Sequence, residues 1–252
     1  MFTAEAPPRR AILTRCSSQL LIQPEQFMEN PMSEYVSIET FTVHVTPFQQ
    51  NCTGVVCKKT GKCAIIDPGG DVPLIMSEVN RRGLTVEKIW VTHGHLDHGG
   101  GAKSLKDETG AIIEGPHDAD AFLARTITQD ALRFGMDGMH SFESDRWLKD
   151  GDIVTIGEAK WDVIHCPGHT PGHVVYYNKE NNLAFVGDVL FRNSIGRTDL
   201  PRSNPADLIH SITQKLWPLG DVEFVPGHGG KSSFGKERAN NPFVSDKIVA
   251  SL

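Results

Sequence analysis

Residues 92–98 read Thr92-His93-Gly94-His95-Leu96-Asp97-His98, directly after the apolar stretch Ile89-Trp90-Val91. This H-x-H-x-D-H spacing concentrates three imidazoles and one carboxylate on a short loop that leaves a buried strand. Neutral imidazole and ionised carboxylate are donors that zinc, iron and manganese all accept. One loop cannot wrap all four groups around a single cation in good geometry, so the run predicts two cations sharing a site.

Three further candidates stand in the same local context. Residues 161–164 lead to His165-Cys166-Pro167-Gly168-His169, residues 183–186 lead to Gly187-Asp188, and residues 223–225 lead to Pro226-Gly227-His228. Each follows an apolar strand and a Gly or Pro turn, where rigid strands hold the loops and glycine lets the backbone bend to aim a side chain inward. Seven ligands are therefore expected to converge: His93, His95 and His169 on one cation, Asp97, His98 and His228 on the other, and Asp188 bridging them. Two cations lower the pKa of a water held between them, so hydroxide is available at neutral pH and hydrolysis is favoured. Asp97 and Asp188 are the expected catalytic carboxylates. Asp67 either holds a ligand imidazole in its tautomer or simply shapes the turn before Pro68-Gly69. His173 and Cys166 are read as non-ligands, because the coordination positions are filled and Pro171-Gly172 breaks helical pairing of His173 with His169. His44, His117, His140, His165 and His210 carry no motif.

Upstream of the motif, strand-like runs at 37–46, 53–57 and 63–66 include a hairpin around the turn at 58–62. Residues 72–82 place Val72, Ile75, Met76 and Val79 at helical spacing and stop at Gly83, and the strand 88–91 then delivers the motif. Downstream, a helix running to Gly110, a strand at 111–114 and a helix at 118–132 precede strands at 153–156, 161–165, 174–177 and 183–186. A helix at 205–216 and a strand at 223–225 follow. Strands outnumber helices and the helices arrive in two blocks. This predicts an α+β fold of two mixed sheets packed face to face with helices outside, a four-layer α/β/β/α sandwich.

At 252 residues and 39% hydrophobic content, one large domain is the default, assigned to residues 35–252. The 25 basic and 31 acidic residues give a net charge of −6, which offers no electrostatic footprint for nucleic acid. The five cysteines, Cys16, Cys52, Cys57, Cys63 and Cys166, lack disulfide-framework or thiolate-site spacing and fit a reducing compartment. No run approaches the roughly 18 apolar residues that span a bilayer, so a soluble, cytoplasmic protein is expected. Oligomeric state is not legible. Residues 1–34, with Pro7-Pro8-Arg9-Arg10, Pro24 and Pro31, read as a disordered tail or as an extension ahead of a true start at Met32; a degenerate transit peptide is the lesser reading. Mass spectrometry of the native N-terminus separates these.

With the His motif, Gly168-His169-Thr170-Pro171-Gly172-His173, Gly187-Asp188 and Gly227-His228 in this order, the chain resembles the metallo-β-lactamase-fold hydrolases from about Tyr35 to its C-terminus. Within them it is most similar to the glyoxalase II group, specifically the single-domain bacterial YcbL-type chains, through Phe191-Arg192-Asn193-Ser194-Ile195-Gly196-Arg197-Thr198-Asp199 and Glu237-Arg238-Ala239-Asn240-Asn241-Pro242-Phe243. The resemblance implies metal-dependent hydrolysis of hydroxyacyl-glutathione thioesters such as S-lactoylglutathione, as in methylglyoxal detoxification, with two divalent ions, zinc first and iron or manganese as alternatives. Two-domain relatives add a helical C-terminal domain for glutathione, whereas only 24 residues follow His228 here. Arg192, Arg197 and Arg202 could replace it by pairing with substrate carboxylates, and Arg197, beside Gly196, is the preferred candidate. The competing enzyme reading is an iron-dependent persulfide dioxygenase. The competing non-enzyme reading is a metal-binding interaction module. A β-lactamase and an RNA-processing enzyme are disfavoured, the first for want of a secretion signal and the second by the acidic balance.

Overall fold

The computed structural model describes residues 36–251, so the expectations for residues 1–34 and for Met32 lie outside the described residues. The strands β1 (Ile38–Val45), β2 (Gln50–Cys57) and β3 (Lys62–Ile66) lead into α1 (Val72–Arg81), β4 (Thr85–Trp90), α2 (Leu96–Gly99), α3 (Ala102–Thr109) and β5 (Ile112–Glu114). The five strands form one sheet in the order β1-β2-β3-β4-β5, antiparallel as far as β3 and parallel beyond it. After α4 (Ala121–Ala124) and α5 (Ile127–Arg133) come β6 (Ile153–Ile156), β7 (Ala159–His165), β8 (Val174–Asn178) and β9 (Leu183–Gly187). The small hairpin β10 (Leu190–Phe191) and β11 (Ser194–Ile195) is followed by α6 (Pro205–His210), β12 (Glu223–Pro226), β13 (Ser232–Ser233), α7 (Phe234–Asn240) and α8 (Asp246–Val249). The second sheet runs β13-β12-β9-β8-β7-β6.

Side chains alternate between the two faces of a strand, so a strand apolar on both faces must be covered on both. In β3, Cys63 and Ile65 join a core with Val72, Ile75 and Val79 of α1 and Leu105 of α3, while Ala64 and Ile66 face the other way. Those two pack with Val55 and Trp90 against Trp161, Val163, Tyr176, Phe185 and Val225 of the second sheet. The outer face of that sheet, with Val175, Tyr177, Val186 and Phe224, is covered by Leu208, Ile212, Leu216 and Phe234. Three cores thus separate four layers, the α/β/β/α sandwich expected from the order of elements. Trp90 anchors the central core, stacked on Tyr176 at 5.2 Å between ring centroids and edge-on to Trp161 at 5.9 Å. No helix among the described residues is long and apolar enough to cross a membrane.

The structure differs from the sequence expectation at several boundaries. The helix expected over 118–132 is three pieces, a 3-10 turn at Asp118–Asp120, then α4, then α5. The break falls where the Thr126 hydroxyl bonds the Leu123 carbonyl and the Asp130 carboxylate, a side chain competing with the helical ladder. The helix expected over 205–216 turns into a π-helix at Ser211–Leu216; the Ser211 hydroxyl donates to the Pro167 carbonyl and Thr213 back-bonds to Ile209. Strand β2 begins three residues before the expected 53, because Gln50 pairs with Val45, Asn51 with His44 and Cys52 with Val43. The two-residue strands β10, β11 and β13 are too short to carry a periodicity.

Candidate metal centre

Every strand end singled out in the sequence delivers its side chain to one edge of the sandwich. Strand β4 leads into the loop at 92–95 and α2, which carry His93, His95, Asp97 and His98; β7 and the loop after it carry His169; β9 ends beside Asp188; β12 ends beside His228. Potential ligand atoms fall into three groups, each within 4.8 Å: His93, His95 and His169; Asp97, His98 and His228; and His93, His98 and Asp188. His95 Nδ1 faces His169 Nε2 at 3.1 Å. Across the centre, Asp97 Oδ2 is 3.2 Å from His228 Nε2. Asp188 Oδ2 lies between the two triads, 3.6 Å from His169 Nε2 and 3.7 Å from His228 Nε2, while its Oδ1 is 3.4 Å from His98 Nε2.

Backbone shape is what permits this approach. A Cβ at Gly227 would stand 2.2 Å from Asp188 Oδ1 and 2.6 Å from His98 Cε1, so no larger residue could precede His228. Gly187 has φ +47, and a Cβ there would stand 2.6 Å from both His173 Nε2 and Thr92 Oγ1.

Asp67 links the two triads from beneath. Its carboxylate accepts from the Thr92 amide and hydroxyl, both at 2.7 Å, and its Oδ2 is 2.9 Å from His98 Nδ1. With its hydroxyl proton given to Asp67, Thr92 Oγ1 accepts from His93 Nδ1 at 3.0 Å. Both rings therefore present unprotonated Nε2 atoms inward when neutral. His169 Nδ1 donates to the Arg197 carbonyl at 2.9 Å, with the same effect. His173 stands outside the ligand groups: its ring stacks on His93 at 4.7 Å and its Nε2 accepts from the Asp188 amide at 3.0 Å. Cys166 is fully buried, and burial pushes its thiol up to about 12.

Two supporting residues carried no sequence motif. Buried Asp120 accepts from the amides of Gly94 and Gly172 and from the Thr170 hydroxyl, tying the His93–His95 loop to the His169 loop. Asn51 reaches across to the turn that carries His228. Neither has a sequence signal: Asn51 stands between Gln50 and Thr53, other polar residues of the same strand, and Asp120 lies in no motif.

The arginines depart from expectation. Arg197 spends its guanidinium on a bidentate pair with Asp199, at 2.7 Å for both hydrogen bonds, and is solvent-exposed. It supports the centre through its backbone carbonyl instead. Arg202 lies over the Phe122 ring at 4.0 Å. Arg192 has no ion-pair partner among the described residues, and its Nη1 lies 3.8 Å from where a Cβ on Gly230 would stand, across the His228 turn.

The electrostatics separate neutral from charged groups. Burial, then the neighbouring His98 and His173, lowers the His93 pKa well below its ordinary value; burial and His169 lower that of His95 to about 3. Burial acts to raise the Asp188 and Asp97 pKa values, but adjacent imidazoles outweigh it and hold both carboxyls below the usual range. Burial would lower the His98 and His228 values, yet the Asp188 and Asp97 carboxylates turn both upward.

Comparison with known proteins agrees with this architecture. Residues 45–228 match the family model of the metallo-beta-lactamase superfamily. The chain is 40% identical over 207 residues to the hydroxyacylglutathione hydrolase GloC of Haemophilus influenzae, covering 81% of this chain and 97% of that one. Among solved structures, the BLEG-1 B3 metallo-beta-lactamase superposes with TM-score 0.76 at 31% identity, covering 82% of this chain and 99% of its own. TTHA1623 in a di-iron-bound form superposes with TM-score 0.73 at 32% identity, covering 81% and 100%. A four-layer sandwich with its His and Asp side chains gathered at one edge, and a family match across most of its length, make this chain a member of the metallo-beta-lactamase superfamily, of single-domain glyoxalase II-like type.

Proposed function

We propose that this chain is a thioester hydrolase, a hydroxyacylglutathione hydrolase of the type II glyoxalase kind, acting on S-lactoylglutathione-like substrates in the cytoplasm, with residues 35–252 as its catalytic domain. The observation that carries the reading is a gathering of donors in which His93 Nε2, His98 Nε2 and Asp188 Oδ1 are buried with no protein hydrogen-bond partner. Leaving such an atom unsatisfied costs about 1–3 kcal/mol, and a coordinated cation would relieve it. A set of imidazoles and ionised carboxylates suits two divalent ions, zinc first and iron or manganese as alternatives.

In this reading His93, His95 and His169 would hold one ion and Asp97, His98 and His228 the other, with Asp188 as the shared ligand. When bound, the pair supplies Lewis acidity and lowers the pKa of a water held between the ions. The chain's own residues orient and exclude. Asp67 and Thr92 keep the His98 and His93 Nε2 atoms facing the centre, and Asp97 and Asp188, both held ionised by the imidazoles around them, would serve as the catalytic carboxylates. A thiolate leaves without a strong general acid. Arg192, which has no ion-pair partner among the described residues and lies beside the His228 turn, would take a carboxylate of a glutathione-like carrier, a role the sequence reading gave first to Arg197.

The name of the 40% identical relative supports the thioester over other substrates. Protein purified without added metal, analysed for metal content and offered S-lactoylglutathione, uncharged thioesters, β-lactams and glutathione persulfide, tests the proposal. Two metal ions per chain with preferred turnover of the glutathione thioester is the expected result. Oxygen consumption with the persulfide and one iron per chain would replace it by a dioxygenase, β-lactam turnover alone by a lactamase, and metal without turnover by a binding module.

A further inference from the structure

We propose that Asn51 is a positioning residue for the second cation: it fixes the turn that carries His228, and through it the half of the centre formed by Asp97, His98 and His228. The inference rests on the two-ion reading above. Asn51 is 5% exposed at the start of β2, on a strand that contributes no side chain to the donor cluster. Its carboxamide Nδ2 donates to the Pro226 carbonyl at 3.0 Å and to the Gly229 carbonyl at 2.9 Å, one on each side of His228. Its backbone amide donates to the Gly227 carbonyl at 2.8 Å. The preceding residue, Gln50, forms an antiparallel bridge with His228 itself, and His228 Nδ1 meets the Phe48 carbonyl at 3.3 Å. The first turn of the chain after β1 thus holds the last ligand-bearing turn in place.

The chemistry calls for asparagine. Both side-chain partners are carbonyl oxygens, so the group must donate twice, and aspartate, of nearly the same size, would present oxygen to oxygen. The turn is flanked by Gly227 and by Gly229 at φ +75, so it has little conformational preference of its own. Without the carboxamide the turn keeps only its backbone bonds on the Gly227 side, and His228 Nε2 is held less firmly in its place 3.2 Å from Asp97 Oδ2. The first triad has no such dependence, because Asp120 ties its loops together independently.

The test is metal content against increasing chelator, read by elemental analysis on the wild-type holoprotein and on Asn51→Asp and Asn51→Ala, with thermal melts alongside. Wild type should release two ions in two steps. Both variants should release the second ion at about 10- to 100-fold lower chelator, the usual range for loss of a group that orients a ligand, and the first ion at an unchanged concentration. Equal weakening of both ions, or two-step release identical to wild type, overturns the role of Asn51 and leaves the two-ion reading intact. A wild type that binds one ion removes that reading and this inference with it. Should both variants fail to fold, hydrogen exchange of metal-stripped wild-type protein decides. A peptide spanning 226–230 that is as protected as β2 supports the latch, and one protected only when metal is bound refutes it.

Discussion

In the half of the centre built from His93, His95 and His169, two of the three side chains are buried, His93 fully and His169 to 2% exposure, and His95 is half-buried. In the half built from Asp97, His98 and His228, only His98 is fully buried; the Asp97 and His228 side chains keep 18% and 29% of their exposure. In the enclosed half, burial lowers the His93 and His95 pKa values. The open half mixes imidazole with carboxylate; burial acts to lower the His98 and His228 pKa values, but the acids turn both upward. The His93 and His95 rings therefore stay ready for a cation further into acid, whereas His98 and His228 exchange protons for an ion at higher pH, and His228 depends on a turn held from elsewhere.

Removing what the halves share should have the largest effect. Asp188→Ala deletes the carboxylate that lies between them, and we expect loss of both ions and a fall in thioester turnover of about a thousandfold, the scale of losing a main source of transition-state stabilisation; full activity would end the bridging assignment. Next is Asp67→Ala, which strips support from His98 directly and from His93 through Thr92. Metal affinity should fall by about 10- to 100-fold in both halves at once, with about 1–3 kcal/mol lost from folding for each partner left unsatisfied. Chelator titration with a denaturant melt checks both.

A pH titration of metal release separates the halves without any mutation. Cation binding requires a neutral ring. Raised pKa values mean that His98 and His228 take up protons early as pH falls, so the open half should release its ion first. The lowered values of His93 and His95 keep those rings neutral further into acid, so the enclosed half should release later. Simultaneous release, or the reverse order, would contradict the comparison. The smallest effect is expected at the rim: Arg192→Ala should raise KM for a glutathione thioester by about threefold with kcat unchanged, as for an exposed ion pair. Arg197→Ala, already paired with Asp199, should leave KM alone.

Much of this was legible because donors and strands are adjacent in sequence. The His motif follows Ile89-Trp90-Val91 without a gap, and His169, Asp188 and His228 each follow an apolar run and a turn. The layers were legible for a similar reason, since alternation along a strand such as β3 sorts its side chains between two cores. The breaks in the helices were not, because Thr126 and Ser211 act through particular hydrogen bonds that propensity does not register. The Arg197–Asp199 pair was not legible either, because a flexible guanidinium takes the nearest carboxylate and Gly196 beside it says nothing about Asp199.

The sequence by itself determined the donor set, the strands that carry it and the sandwich that gathers strand ends along one edge, since each depends on periodicity or spacing within a few residues. Only the tertiary structure decided how the donors divide into an enclosed and an open half, that Asp188 Oδ2 stands between His169 and His228, and that Asn51 and Asp120 hold the two halves separately. Those are hydrogen bonds and distances between segments far apart in the chain, and such contacts leave no local pattern until packing has brought the segments together.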